Sequence, residues 1–182
     1  MRLQEASTAP SRGSGVSIRD LRAAAQKLPR AEFEQRYGRV FLLLSATDFA
    51  APPGLMTEVG MGGPARMEST ASLSLIVYAV RHNGHSAGHL ITVGRAPDND
   101  VVVPDASISR FHAYVKEGAD RQWLIQDAGS TNGTGVNGHA VPRQGSGSPI
   151  ALKSGDDVRL GQVELTFLDA DALLSFAMRV ER

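Results

Sequence analysis

Near the start of the chain, apolar positions recur every three or four residues, which predicts helices. Ser17 followed by Asp20 resembles a capping box, and Pro29 ends this first helix. A short second helix is predicted over residues 30–36. The almost unbroken apolar run at residues 39–45 then predicts a buried strand.

From residue 73 onward, short apolar runs alternate with turn residues, a pattern typical of an antiparallel sandwich or barrel. The predicted strands are 73–81, 90–93, 101–103, 111–116, 122–126, 140–141, 150–152, 158–160 and 162–168. In one of these runs, strand alternation predicts that Phe111 shares a face with Ala113 and Val115. The class of fold predicted is therefore all-β, with helices added at both ends.

The same pattern predicts five segments along the chain. They are a disordered tail at 1–16, a helical and strand extension at 17–49, a flexible linker at 50–72, the β domain at 73–168 and a C-terminal helix at 169–182. We expect Asp169 or Asp171 to cap that last helix. Its predicted apolar face consists of Leu173, Phe176, Ala177 and Val180. Residues 143–149, rich in Gly and Ser, are predicted to form a mobile loop.

Composition narrows the classes of function. Nineteen basic residues balance nineteen acidic ones, so no overall field would attract nucleic acid or an acidic membrane. The chain has no cysteine, and its apolar runs are too short to span a bilayer. We therefore expect a cytoplasmic protein without membrane insertion. His82, His85 and His89 cluster near a predicted hairpin, but no cysteine or carboxylate lies nearby to complete a ligand set, so we predict neither a metal nor a cofactor.

Three turn-prone segments beside predicted strands carry the candidate chemistry: Gly94-Arg95, Ser109-Arg110-Phe111-His112 and Gly129-Ser130-Thr131-Asn132-Gly133-Thr134. Together they supply guanidinium groups, hydroxyls and a carboxamide. Such groups suit the binding of an anion and of the chain that carries it. A catalytic pair of Ser109 and His112 is not favoured, because residues three apart on a strand point to opposite faces and no third group orients the imidazole.

These segments resemble the signature of the forkhead-associated (FHA) domain. Residues 94–113 are similar to its first half, residues 127–138 to its second half, and residues 152–161 to its closing strands. The similarity covers about residues 73–168. It implies an antiparallel β-sandwich of about eleven strands that binds phosphothreonine peptides through loops at one end.

The resemblance also implies a role for each signature residue. Arg95 and Ser109 are expected to contact the phosphate, and Arg110 is expected to add an amide or a second cation. Thr131 is expected to shape a slot for the threonine methyl group. Asn132 is expected to bond the peptide backbone, because a carboxamide donates and accepts at once.

Four further residues are expected to support the site. Gly94 and Gly133 would permit backbone geometries or close approaches that a Cβ would hinder. His112 would tie the loops together beneath the site. Asn137, in an Asn-Gly dipeptide, would stabilise a turn.

The function expected from this resemblance is a non-enzymatic adaptor in Ser/Thr-kinase signalling, with a phosphothreonine-containing kinase or kinase substrate as its partner. An alternative is an assembly or oligomerisation protein whose N-terminal extension binds a partner and whose FHA contacts do not need phosphate. A phosphorylated Thr8, Thr57 or Thr70 could also occupy the protein's own site.

Overall fold

The computed structural model describes residues 15–44, 75–84 and 88–179. In chain order the elements are β1 (Val16–Ser17), α1 (Ile18–Lys27), α2 (Arg30–Tyr37), β2 (Val40–Leu44), β3 (Ile76–Ala79), β4 (Ile91–Gly94), β5 (Val101–Val102), β6 (Ala113–Glu117), β7 (Trp123–Asp127), β8 (Thr134–Val136), β9 (His139–Ala140), β10 (Ile150–Leu152), β11 (Asp157–Leu160), β12 (Val163–Asp169) and α3 (Ala170–Arg179). None of the helices in these ranges has the length and apolar content that crossing a bilayer needs.

The strands form a two-layer β-sandwich, as predicted. One sheet has seven strands in the order β1-β3-β2-β12-β11-β8-β9, and the other has five in the order β10-β7-β6-β4-β5. The paired strands of these sheets are antiparallel except for β4 and β5, which are parallel. Apolar side chains from both inner faces bury one core, which includes Leu42, Val93, Val115, Val158 and Leu165.

Strand β2 comes from the segment predicted to be an extension, yet it lies inside the seven-stranded sheet. It pairs with β12 on one side, where Leu44 faces Leu165, and with β3 on the other, where Leu42 faces Tyr78. All five of its residues are buried because the two faces of the strand pack on two different cores. The sandwich therefore includes chain that precedes residue 73.

The three helices cover the outer face of the seven-stranded sheet. The Ser17 hydroxyl caps α1 by accepting from the amide of Arg19 at 3.2 Å, and the carboxylate of Asp169 caps α3 by accepting from Ala172 at 2.8 Å. Between the helices and the sheet lies a second hydrophobic core, which contains Ile18, Leu21, Phe33, Tyr37, Phe41, Leu43, Val77, Leu168, Leu173 and Ala177. Phe176 is half-buried against the same core, and Val180 lies outside the described residues.

Two local predictions need correction. Phe111 does not share the buried face of Ala113 and Val115, because β6 begins only at Ala113 and the Phe111 side chain is 45% exposed. Strand β8 was not predicted, because it is only three residues long and has Gly135 at its centre, so it lacks an apolar run. Its pairing with β11 makes it a strand regardless.

The predicted mobile loop at residues 143–149 is hydrogen-bonded to the five-stranded sheet. The buried side-chain amide of Gln126 donates to the carbonyls of Pro142 at 3.2 Å and Gly147 at 2.9 Å. The amide of Gln144 donates to the Asp127 carbonyl at 2.8 Å. Glycine and serine content suggested mobility, but these long-range bonds hold the segment beside β7.

Candidate functional site

Three loops meet at one end of the sandwich. Loop 1 (residues 95–100) follows β4, loop 2 (103–112) precedes β6, and loop 3 (128–133) joins β7 to β8. The Arg95 amide donates to the Ser109 carbonyl at 3.1 Å, which joins loops 1 and 2. The Thr131 amide donates to Oγ of Ser109 at 3.0 Å, which joins loops 2 and 3. The structure thus brings together the loops that carry all five predicted binding residues.

Gly94 allows loops 1 and 2 to approach closely. A Cβ added at this position would lie 2.3 Å from the Arg110 carbonyl oxygen, a distance that real Cβ atoms do not reach. That same oxygen accepts hydrogen bonds from Nδ2 of Asn99 at 2.6 Å and from the Ala96 amide at 3.2 Å. The backbone of Arg110 is therefore fixed against loop 1, and its side chain extends from an ordered position.

His112 joins loops 2 and 3 from beneath. Its side chain is fully buried, and Nδ1 accepts from the Ser109 amide at 3.0 Å. Because Nδ1 accepts, Nε2 carries the proton and donates to the Gly133 carbonyl at 3.1 Å. Burial lowers the pKa of His112, which outweighs the hydrogen bond to Gly133 and the charge of Asp127, both of which raise it. A neutral imidazole with both nitrogens engaged fits support rather than proton transfer.

Asp127 organises loop 3, a role that the sequence did not assign. One carboxylate oxygen accepts from the amides of Gly129 at 2.8 Å and Ser130 at 2.9 Å. The other accepts from the hydroxyls of Ser130 at 2.5 Å and Thr134 at 2.7 Å. Burial alone would raise the pKa of Asp127, but these four bonds outweigh it and the pKa is lowered. The available signal was the segment Asp127-Ala128-Gly129-Ser130, because an Asp side chain commonly accepts from a backbone amide two residues later in an Asx turn.

The Ser109 hydroxyl can donate a hydrogen bond to a ligand. Its oxygen accepts a hydrogen bond from the Thr131 amide, and among the described residues its proton has the Thr131 hydroxyl, 3.4 Å away, as its one acceptor. A bond of that length is weak, so an incoming anion would displace it readily. Thr131 itself is exposed on loop 3, directly opposite Ser109.

Asn132 also bridges loops 2 and 3. Its Nδ2 donates to the Ser107 carbonyl at 2.7 Å. The Ser107 hydroxyl in turn donates to Asp105 at 2.6 Å and accepts the Gln162 amide at 3.0 Å. The Asn132 side chain is exposed, and its Oδ1 has no hydrogen-bond partner among the described residues. An anchored carboxamide is thereby left with an acceptor and one N–H for a ligand chain.

Two exposed cations lie at the edge of this end. Within the described ranges, the guanidinium groups of Arg95 and Arg110 have neither a hydrogen-bond nor an ion-pair partner. A guanidinium offers five donors in a planar fork that matches phosphate oxygens. Both side chains can therefore bind an anion without first breaking an ion pair within the described residues.

Of the predicted support residues, Gly133 lies within the three loops, whereas Asn137 lies outside them. Gly133 has φ of +77°, a left-handed conformation that favours glycine, and lies in loop 3. Asn137 lies at the other end of β8 with φ of +50°, in the turn to β9. Its side chain bonds Asp156 and the Asp157 amide, both at 2.9 Å. Asn137 therefore stabilises that turn, and its hydrogen bonds do not reach the three loops.

The histidine cluster gives no metal centre within the described ranges, where no group of three or more His, Asp or Glu side chains is arranged to hold an ion. His85, Thr8, Thr57 and Thr70 lie outside those ranges.

A β-sandwich whose loops present cations, a hydroxyl and a carboxamide at one end has the groups that a phosphopeptide-binding module needs. The family model of the FHA domain matches residues 91–161. The glycogen accumulation regulator GarA of Mycolicibacterium smegmatis is 32% identical over 126 residues, which cover 65% of this chain and 72% of that protein. The chain belongs to the FHA-domain family, whose members bind phosphothreonine.

Two further similarities are more limited. The oxoglutarate dehydrogenase inhibitor of Corynebacterium jeikeium is 38% identical over 76 residues, and the match spans 48% of that protein's length. The solved FHA domain of the CT664 protein from Chlamydia trachomatis aligns with a TM-score of 0.43 at 25% identity, over 71% of this chain and 97% of that one.

Proposed function

We propose that loops 1–3 bind a phosphothreonine segment of a partner protein, with Arg95 and Ser109 holding the phosphate. The observation that carries this proposal is the presence, in joined loops, of an exposed guanidinium without a partner among the described residues and of a hydroxyl whose hydrogen bond to Thr131 is long. The backbone bond from the Arg95 amide to the Ser109 carbonyl keeps the two residues in neighbouring positions in loops 1 and 2. Since loops 2 and 3 are already joined by His112, little ordering accompanies binding.

The remaining site residues complete the recognition. Arg110 supplies a second cation next to Ser109. Thr131 faces Ser109 across the site and forms one wall of the slot for the threonine methyl group. Asn132 uses its free oxygen and N–H to hold the backbone of the bound segment. The methyl slot gives preference for phosphothreonine over phosphoserine by about tenfold.

The role that follows is that of an adaptor without catalytic activity, which recognises a Ser/Thr kinase or one of its substrates after phosphorylation. Two relatives support this role through their names, one a glycogen accumulation regulator and the other an oxoglutarate dehydrogenase inhibitor. Both names describe regulators rather than enzymes.

A calorimetric titration of the full chain tests the proposal. A phosphothreonine peptide is expected to bind with Kd of about 1–100 µM, and its unphosphorylated counterpart at least about 100-fold more weakly. Arg95→Gln should weaken binding of the phosphopeptide by about 100-fold, because the bidentate charge-assisted bonds to phosphate are lost.

Arg121→Gln is the matched control. Arg121 is an exposed arginine, 81% accessible, in the turn between β6 and β7 at the far end of the sandwich. Its loss removes the same charge and should leave the affinity unchanged. Equal binding of phosphorylated and unphosphorylated peptides, or equal affinity of wild type and Arg95→Gln, would overturn the assignment.

A further inference from the structure

The segment after β9 runs beside loop 3, where the family resemblance assigned no residue. Arg143 forms a parallel bridge with Asp127, and the following amide of Gln144 donates to the Asp127 carbonyl at 2.8 Å. The side chain of Gln126 holds the same segment through Gly147 at 2.9 Å. These contacts fix the backbone of Arg143 next to the strand that leads into loop 3.

The Arg143 guanidinium then contacts loop 3 directly. Its Nη2 donates to the Ser130 carbonyl at 3.2 Å. The N–H of the same peptide unit belongs to Thr131 and donates to Oγ of Ser109 at 3.0 Å. Because the C=O and N–H of a trans peptide point in opposite directions, Arg143 and Ser109 lie on opposite flanks of loop 3. Their polar atoms are about 8 Å apart or less, a span of roughly two to three residues of extended chain.

Arg143 has capacity for a ligand. Its side chain is exposed, and no carboxylate pairs with it in the part of the chain that the structure describes. One bond to a carbonyl uses one of its five donors. The same bond limits the motion of the guanidinium, so less entropy is lost when it binds a second group. A carboxylate is the side-chain group that best matches this fork.

We propose that Arg143 is a specificity-determining residue that selects an acidic side chain within about three residues of the phosphothreonine in the bound segment. This inference rests on the proposed function of loops 1–3. It places two anion-binding positions on one surface, with the phosphate near Ser109 and a ligand carboxylate on the outer flank of loop 3. Arg143 would then set which phosphothreonine partners bind, while Arg95 sets whether phosphate is needed.

A peptide scan tests Arg143 separately from the phosphate site. A phosphothreonine peptide without acidic residues is compared with variants that carry Glu or Gln at each of the three positions before and after the phosphothreonine. For wild type, at least one position should favour Glu over Gln by about three- to fivefold, and added salt should reduce the preference. Arg143→Gln should abolish that preference, and Arg143→Lys should retain part of it.

The outcomes separate the two proposals. Failure of the neutral phosphopeptide to bind wild type refutes the proposed function itself. Normal binding of that peptide without a Glu preference at any position refutes the role of Arg143 alone. A preference that survives in Arg143→Gln also refutes it. An equal loss of affinity for all peptides in Arg143→Gln would show that Arg143 only positions loop 3, which likewise overturns the specificity role.

Discussion

At the end of the sandwich that carries loops 1–3, Arg95 and Arg110 have no partner among the described residues, whereas at the opposite end Arg39 is bonded to Glu117 at 2.7 Å. The Arg39 guanidinium also lies 5.8 Å from the centre of the Trp123 ring. The opposite end also has a groove of about 820 Å³, which Arg39 and Trp123 line together. Arginine content alone therefore does not distinguish a binding site from a structural contact. The distinction is whether the fold already neutralises the cation.

The two ends also differ in their carboxylates. Asp127, beneath loop 3, is buried and accepts three hydrogen bonds from loop 3 and one from Thr134 at the start of β8. Glu117 is partly exposed and pairs with arginine side chains. Buried acceptors of several bonds determine local structure strongly, while exposed ion pairs contribute little to stability. Loop 3 is thus held in place by a buried carboxylate, while the arginine side chains at the surface of the same end have no ion-pair partner among the described residues.

Asp127→Ala should produce the largest effect on stability. Two amides and two hydroxyls would lose their acceptor in a buried place, which should lower the free energy of unfolding by about 3 kcal/mol or more. Phosphopeptide binding should fall with it, because loop 3 carries Thr131 and Asn132. Urea denaturation and calorimetry measure the two effects.

Glu117→Ala is the matched control, because it removes a carboxylate at the other end. It should lower the free energy of unfolding by less than about 1 kcal/mol and leave the phosphopeptide affinity unchanged. Asp127→Asn keeps one acceptor oxygen and should fall between the two. Similar losses of stability for Asp127→Ala and Glu117→Ala would contradict the contrast between a buried organising carboxylate and a surface ion pair.

The change of the free energy of unfolding with pH should be the next largest effect. Because the pKa of buried His112 is lowered, the unfolded chain takes up a proton near pH 6.5 while the folded chain stays neutral at this position. Protonation of His112 therefore does not reduce the free energy of unfolding above about pH 6.5. Below that pH the free energy of unfolding falls, by up to about 1.4 kcal/mol per pH unit. The lowered pKa of Asp127 adds a second loss at pH below about 3.8.

Urea denaturation between pH 5 and pH 8 measures the first of these losses. Stability is the right observable, since a phosphate group itself takes up a proton near pH 6 and would change binding on its own. In His112→Asn the slope between pH 5 and 6.5 should be smaller than in wild type. An unchanged slope would show that other groups cause it and that the buried neutral imidazole does not.

Much of this architecture could be predicted from the sequence, because its signals are local. The cap at Ser17 and the continuous apolar run of β2 depend on neighbouring residues. Family resemblance predicted which loops would meet. Local pattern could not show that β2 lies between β3 and β12, since its pairing partners are distant in the chain. The alternation that placed Phe111 in a strand failed because loop 2 extends as far as His112.

The site showed the same limit. Gly94, Ser109 and His112 were identified by the motif, but the bond from Arg143 to the Ser130 carbonyl joins segments that no short motif contains. Asp127 is the first residue of the second signature segment, but the sequence did not indicate its role because its four hydrogen bonds form only when loop 3 is folded. The meeting of the loops that carry the signature residues could be predicted, whereas contacts that depend on tertiary packing could not.

Arg39→Gln should have the smallest effect and is the sharpest test of the contrast between the two ends. The substitution removes an arginine that is already paired with Glu117, so stability should fall by less than about 1 kcal/mol. Phosphopeptide affinity should not change, although the lost charge equals that lost in Arg95→Gln. Calorimetry on both variants at the same salt concentration makes the comparison direct. A marked loss of affinity in Arg39→Gln would mean that the ligand also contacts the opposite end, and that pairing within the fold does not remove an arginine from recognition.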